Sequence, residues 1–335
     1  MQTVRWGIIG CGDVTEVKSG PALQRAERSQ LTAVMRRDGA KAQDYAQRHG
    51  VPRWYDDADA LINDPEVDAV YIATPPGSHM DYALRVAAAG KPVYVEKPMA
   101  RTYEECMQMV DGCAAVGVPL FVAYYRRMLP RFLRVRDLLA EGAIGEVRTV
   151  SLRLYSGNNS TDFTPGNIPW RVQPELAGAG LVLDLGSHML DLLDYLVGPI
   201  DAVQGMATNQ AGLYAAEDTV VSSFSLESGA LGTAFWCFSA YNSGTWERTE
   251  IIGSKGRIIY SNFADEPIEL HGPSGVMSFE IANPPHIQQP LIQTIVDELC
   301  GIGTCPSTGI TAARTSRVLD EMLSGWRAEH GVFPK

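Results

Sequence analysis

Two places in the chain set reactive side chains where a fold can use them. Residues 93–100, VYVEKPMA, run from β-forming apolar residues into Glu96, Lys97 and Pro98. A short buried strand that ends in a carboxylate and an ammonium delivers charge to whatever lies beyond it. Residues 178–196, GAGLVLDLGSHMLDLLDYL, place Asp184, His188 and Asp191 four and three residues apart. On a helix that spacing aligns them along one face, with Leu185, Met189, Leu192 and Leu193 opposite. A carboxylate one turn from an imidazole holds the ring in one tautomer and tunes its pKa, as a general acid/base requires. A helical histidine also serves often as a satisfied core residue. The same D-x-x-x-H pair suits two metal ligands, but no third and fourth ligand follow at recognisable spacing, so no metal is expected.

Both stretches need a scaffold to aim them. Residues 4–50 read as strand, glycine turn, helix, the strand LTAVM and a second helix from about Gly39, which is a βαβ unit. Gly10-Cys11-Gly12, followed by Asp13 and Val14, falls at the first strand-to-helix turn. Missing Cβ atoms there permit a tight turn and let a pyrophosphate approach backbone N–H groups at a helix N-terminus. These five residues are candidate cofactor contacts. The third fingerprint position is Thr15 rather than Gly or Ala, and a tight turn also serves structure alone, so the flanking strand and helix carry the reading. A NAD site usually has an acidic residue about 20 residues past the glycines to bond the ribose. Here stand Arg36 and Arg37. Guanidinium groups bind a 2′-phosphate through forked hydrogen bonds, whereas a carboxylate repels it. NADP is therefore favoured, with NAD the alternative, and one of the two arginines is expected only to solvate its loop.

The alternation continues through the strands AVYIAT, PVYVEKP and PLFVAY, separated by helical stretches, the pattern of a parallel doubly wound sheet. Ligands bind such sheets beyond the strand C-termini. Thr74-Pro75-Pro76 and the Glu96-Lys97-Pro98 step both fall at such ends; Thr74, Pro75, Pro76, Glu96 and Lys97 join the candidate cofactor contacts. From residue 145 onward, GEVRTVSLRLYSG, DAVQGMATN, DTVVSSFSLESGALGTAFWCFSA, WERTEIIGSKGRIIY, PIELHG and VMSFEI are β-branched and aromatic runs broken by glycine turns. The last helix, roughly 309–329, spaces Ala312, Val318, Leu319, Met322 and Leu323 for packing, and no low-complexity linker divides the chain.

Composition narrows the classes. A length of 335 residues predicts two domains or one large one, and 45% apolar with 20% charged residues describes a soluble globular protein. No run of 18 or more apolar residues suggests a membrane span. The opening MQTVRWGIIGCG lacks the apolar core and cleavage site of a signal peptide and runs straight into the glycine turn, so a cytoplasmic location is expected. The six cysteines are scattered without C-x-x-C spacing, which argues against a zinc site and against a secreted disulfide framework. A formal charge of −11 opposes nucleic-acid binding. An anionic cofactor then needs a local basic site.

Taken in order, GIIGCGDV, YIATPPGSH, VEKP, EGAIGEV at 141–147, PWR at 169–171 and GAGLVLDLGSHMLD resemble the glucose-fructose oxidoreductase/inositol dehydrogenase/MocA family over nearly the whole chain. The resemblance implies an α/β protein: an N-terminal Rossmann domain, residues 1–122, and a C-terminal α/β substrate domain, 123–335, built on a large, mostly antiparallel open sheet. One face of that sheet commonly forms a subunit interface in the family, which implies a homodimer or homotetramer.

The resemblance also implies roles. Lys97 would stabilise developing alkoxide and hold the substrate hydroxyl. His188 would take the hydroxyl proton as hydride leaves the same carbon for nicotinamide C4, with Asp184 orienting substrate or imidazole. A lysine and a histidine in one water-poor pocket would lower each other's pKa and favour the neutral histidine as base. Glu96 would place Lys97 or contact the nicotinamide side, and a cis bond is expected at Lys97-Pro98. Tyr125 and Arg126 match the stretch beneath the nicotinamide ring, although Asn is common where Tyr125 stands. Trp170 and Arg171 match a loop that reaches cofactor and substrate. His79 is read either beside the cofactor or as the cap of the following helix, and His286 either at the substrate pocket or on the surface. The segment YSGNNSTDFTPGNIPW, with Asn, Asp, Ser, Phe163 and Trp170, suits a polyhydroxylated ring, so a neutral sugar or cyclitol is the expected substrate. A dihydrodiol is a neighbouring possibility, since residues 36–52 resemble NADP-dependent trans-dihydrodiol dehydrogenases. The family also holds cofactor-binding regulators without turnover and NAD-dependent redox-elimination glycosidases; intact Lys97, Asp184 and His188 weigh against the first, the arginine pair against the second.

Overall fold

The computed structural model describes residues 2–157, 163–164, 166–241 and 244–331. The chain forms two compact units: Met1–Leu129 with Pro284–Ala313, and Pro130–Asn283 with Arg314–Lys335. The sequence reading placed a single boundary near residue 122. The first unit instead extends to Leu129 and takes back a later segment.

The first unit begins β1 (Val4–Ile9), α1 (Asp13–Val17), α2 (Ser19–Arg25), β2 (Ser29–Met35), α3 (Gly39–His49), β3 (Arg53–Tyr55) and α4 (Ala58–Ile62). It continues β4 (Ala69–Ile72), α5 (His79–Ala88), β5 (Val93–Val95), α6 (Tyr103–Ala115) and β6 (Leu120–Val122). The strands pair only in parallel, in the order β3-β2-β1-β4-β5-β6. That is the doubly wound order whose crevice lies beyond the strand C-termini. Strands such as AVYI and VYV are apolar throughout and buried throughout, as a sheet covered by helices on both faces demands. Helix starts follow local chemistry: Asp38 caps α3 by accepting from the Lys41 amide, and Thr102 caps α6 by accepting from Glu105. Glu96 and Lys97 fall just past β5, so the strand does end where the charges begin. The Lys97-Pro98 bond is cis.

The second unit runs α7 (Pro130–Ala140), β7 (Val147–Tyr155), α8 (Pro174–Ala177), a π-type turn at Val182–Gly186 and α9 (Ser187–Val197). The strands β8 (Ile200–Thr208), β9 (Thr219–Leu226), β10 (Leu231–Cys237), β11 (Trp246–Gly253), β12 (Arg257–Tyr260), β13 (Ile268–Gly272) and β14 (Gly275–Phe279) follow. Eight strands form one sheet in the order β14-β13-β12-β11-β7-β10-β9-β8, antiparallel except for β7 beside β10. Alternation along β10 buries Ala234 and Trp236, whose indole N–H meets the Met189 sulfur of α9 at 3.2 Å. The other face is open: Leu231 is 63% and Trp246 45% exposed, and Tyr155 stacks between Phe235 and Trp246. The stretch Pro174–Val197 is long and apolar enough to cross a membrane, but 78% of its most apolar window is buried in the protein.

The chain then returns to the first unit with α10 (Gln289–Leu299), and α11 (Gly309–His330) closes the fold. The returning segment covers the edge of β6. Thr308 bridges to Phe121, the Val122 amide donates to Ser307 O at 3.0 Å, and the Ser307 hydroxyl donates to Val122 O at 2.7 Å. An uncovered edge strand would leave these groups open to pairing with another chain.

Candidate active site

The glycine turn is built by sterics. Gly10 has φ +90°, and a Cβ there would lie 2.6 Å from Thr74 Cγ2 and 3.0 Å from the Thr74 amide nitrogen. A Cβ on Gly12 would meet nothing closer than Gly10 O at 3.9 Å and Arg36 at 4.0 Å. One glycine is thus required by the protein itself, while the other leaves an open cradle in front of the backbone. The amides of Asp13 and Val14, the first residues of α1, have no acceptor within the helix. Thr15 explains the departure at the third fingerprint position. Its hydroxyl accepts from the Gly12 amide at 2.9 Å and donates to Gly12 O at 2.8 Å, while its carbonyl accepts from the Tyr45 hydroxyl. Close helix packing falls to Gly20, where a Cβ would come within 2.4 Å of that hydroxyl.

These contrasts give a paired expectation. Gly10→Ala should lower unfolding free energy by about 3 kcal/mol, through positive φ and overpacking against Thr74. Gly12→Ala should leave stability near wild type and weaken dinucleotide binding about tenfold or more by filling the cradle. Urea denaturation and a fluorescence titration with reduced dinucleotide separate the two; a tightly binding Gly12→Ala protein would rule the cradle out.

Arg36 and Arg37 diverge. The Arg36 guanidinium donates to Cys11 O at 3.3 Å and so stands at the glycine turn, whereas Arg37 is exposed, with no hydrogen bond or ion pair among the described residues. Asp38, the nearest acid, is engaged as the α3 cap and in an ion pair with Lys41. Burial pushes the Cys11 thiol up to about 11, so its contribution to the turn is its backbone.

At the end of β5, Glu96 is buried and anchored. Its Oε1 accepts from the Tyr71 hydroxyl at 2.6 Å and from Gln288 Nε2 at 2.7 Å, and its Oε2 accepts from the Lys97 amide at 3.0 Å. Tyr94, stacked on Tyr71, donates to the Gln288 carbonyl oxygen. Glu96 therefore holds the main chain at Lys97, which refines its expected role. Ser78 ties down Thr74 through a hydroxyl contact of 2.8 Å, while Pro75 and Pro76 lead into the short 3₁₀ turn Pro76–Ser78.

The His79 ring is fully buried and meets the carbonyls of Thr74 and Met99, with no side-chain cap on α5. Burial holds its pKa below the ordinary imidazole value, against the pull of both carbonyls and Glu96. Tyr125 and Arg126 form a buried pair, with Arg126 donating to the Tyr125 hydroxyl at 2.8 Å. His286 lies 3.4 Å from Val17 O, beside the first helices.

In the second unit the π-type turn carries Asp184, and α9 opens just before His188. Such a turn breaks the 3.6-residue phase, and α9 is buried on all sides, His188 and Asp191 included. His188 and Asp191 keep the three-residue spacing of one helical face, while Asp184 stands on the turn before it. Asp184 pairs with Arg171 at 3.3 Å, and the Arg171 guanidinium lies over the Trp170 ring. The structure thus brings Trp170, Arg171 and Asp184 together. Asp191 sits 3.4 Å from the Thr315 hydroxyl of α11.

Phe263, which no spacing in the sequence singled out, meets the His188 ring edge-on at 6.3 Å. Its loop is locked from behind: the buried Glu247 accepts from Ser261, the Asn262 amide and the Asn262 side chain, and Arg131 donates to Ala264 O and Glu266 O. Of the segment expected to bind hydroxyls, residues 158–162 and 165 lie outside the described residues; Phe163 packs against Tyr214.

Glu217 steadies the approach to Asp184. Both its oxygens lie about the Gly180 amide, at 2.8 and 3.0 Å, and burial pushes its carboxyl from 4.5 up to about 7. The folded state therefore holds this proton more tightly than the unfolded chain. The resulting stabilisation is complete below about pH 4.5 and lost as pH rises through about 7, an effect on the order of 3 kcal/mol. Urea midpoints across that range should fall in the wild type, with a shallower slope in Glu217→Gln; identical slopes would contradict the assignment.

The parallel sheet and glycine turn define a dinucleotide-binding enzyme of the doubly wound class. Residues 4–124 match the model of an oxidoreductase family with an NAD-binding Rossmann fold, and residues 132–259 match the GFO/IDH/MocA C-terminal domain. The chain belongs to the Gfo/Idh/MocA family and is an NAD-binding oxidoreductase. Oxidoreductase P35 of Formosa agariphila is 35% identical over 95% of this chain and 97% of its own. Trans-1,2-dihydrobenzene-1,2-diol dehydrogenase of Mus musculus is 31% identical over 74% of this chain and 77% of its own. The fold matches that of levoglucosan dehydrogenase in complex with NADH and levoglucosan, with a TM-score of 0.87 at 22% identity and 98% coverage of each chain.

Proposed function

We propose that the protein exchanges hydride between a nicotinamide dinucleotide, preferably NADP, and a carbinol or carbonyl carbon of a neutral sugar, cyclitol or dihydrodiol. The observation that carries this reading is Lys97, fixed through its amide by the anchored Glu96 at the same strand-end edge of the parallel sheet as the glycine turn. The open cradle at Gly12, the first-turn amides of Asp13 and Val14, and Arg36 fit a dinucleotide phosphate. When bound, the nicotinamide supplies an acceptor or donor of hydride.

The chain's own residues handle the oxygen and its proton. The Lys97 ammonium donates to the substrate oxygen and stabilises the charge that develops there. His188 takes the hydroxyl proton on oxidation and returns it on reduction. Asp184, paired with Arg171, orients substrate or imidazole. The activities named for the relatives, on sugars and on a dihydrodiol, support the substrate class. Assembly into two or four copies through the exposed face of the second sheet belongs to the same reading, and a monomer in light scattering would refuse it.

The test is absorbance of reduced nicotinamide when purified protein meets NADP or NAD with sugars, inositols and dihydrodiols. Turnover preferring NADP is expected. Tight dinucleotide binding with no turnover on any of them would favour a regulator and sink the reading.

A further inference from the structure

His79 joins two segments that the sequence keeps apart. Its Nε2 lies 2.7 Å from Thr74 O, and its Nδ1 lies 3.1 Å from Met99 O. Carbonyl oxygens only accept, so the ring engages them as a donor: a neutral imidazole, the form that burial favours, gives its one N–H to one carbonyl and lies against the other, while an imidazolium would give one to each. Thr74 holds its methyl against Gly10 of the cofactor turn, and Met99 stands two residues beyond Lys97. The ring is fully buried at the first position of α5, a helix whose Ala83, Val86 and Ala87 are sunk in the core. Glu96, the charged group nearby, spends its oxygens on Tyr71, Gln288 and the Lys97 amide. Lys97 and its successors are therefore gripped from two sides, by Glu96 before and by His79 after.

We propose that His79 is a positioning residue for the reaction, tying the Thr74–Pro76 turn to the Lys97–Met99 segment so that the cofactor turn and the Lys97 side chain keep one fixed geometry. This rests on the role of Lys97 proposed above. The ring is a brace between two loops at the strand ends, held by a helix start that cannot shift without opening the core.

The test compares His79→Phe, which keeps the ring volume and removes every ring N–H, with His79→Gln, which restores a side-chain N–H donor, and with Lys97→Met. The expected result for His79→Phe is a kcat lowered about tenfold to a hundredfold, as small misplacements of a catalytic group cause. Dinucleotide affinity should fall severalfold and substrate KM should change little, so that the loss falls on kcat. His79→Gln should recover part of kcat. A merely structural histidine would lower the melting temperature and leave kcat of the folded protein at its wild-type value. If the Phe variant does not fold, His79→Leu, also without donors, is judged by the same rates. A folded donorless variant with wild-type kcat, beside an inactive Lys97→Met, would overturn the brace alone; an active Lys97→Met would overturn both proposals.

Discussion

Lys97→Met is expected to lower kcat about a thousandfold, while dinucleotide affinity stays within about threefold of wild type. Methionine preserves most of the length and apolar stem of lysine but cannot donate. The oxygen of the substrate then develops charge with no ammonium to meet it, and the loss appears in the reacting step rather than in cofactor binding. Because Glu96 grips the main-chain amide of Lys97 and not its side chain, the substitution leaves the Tyr71–Glu96–Gln288 network unbroken. Steady-state rates together with a fluorescence titration of reduced dinucleotide give both numbers. A methionine variant retaining a tenth of wild-type kcat would remove Lys97 from the chemistry.

Arg36→Asp should reverse the choice of cofactor. One guanidinium in place at the glycine turn contributes a charge-assisted, forked contact to a 2′-phosphate, and its loss is expected to cut kcat/KM for NADP about a hundredfold. The carboxylate that replaces it repels the phosphate and suits a ribose hydroxyl, so NAD should hold or gain. Arg37→Ala serves as the comparison. Arg37 is exposed and away from the contact that Arg36 makes with Cys11 O, so its removal should cost no more than about threefold. Kinetic constants for both cofactors across the three proteins decide the point. Equal losses at the two positions would mean that the phosphate is read by the loop as a whole.

Much of this was legible in the chain because it is local. The glycine turn is a strand, a tight turn and a helix within a few residues, and the apolar run VYV ending in Glu96-Lys97-Pro98 states its own boundary. Period-two alternation revealed β10, since residues that alternate between core and solvent leave that pattern in any order of strands. What local pattern cannot carry is partnership across the chain. Nothing in NPPHIQQPLIQ announces that Gln288 fixes Glu96, or that Ser307 and Thr308 lie along β6. Asp184 was legible as an acid near a histidine, but its ion pair with Arg171 belongs to a loop thirteen residues earlier. The π-type turn also escaped: a helical face was counted at 3.6 residues per turn through a segment that does not keep that phase. The two backbone partners of His79 were equally out of reach. A histidine after TPPGS looks available, and only the burial of its ring and the identity of its two acceptors show that it is committed to the backbone.

The return of Pro284–Ala313 to the first unit has a consequence for biosynthesis. A ribosome delivers β1 to β6 early, but the cover of the β6 edge and the amide of Gln288 that steadies Glu96 are encoded near the other end of the message. Until those residues emerge, the nascent first unit carries an open strand edge and a buried carboxylate short of one partner. Residues 130–283 appear in the interval, so the β6 edge and the Glu96 network are completed only after the long insertion has been made. A shortened product that stops before residue 284 would contain every glycine of the fingerprint and all six parallel strands, and still lack the cover of their last edge.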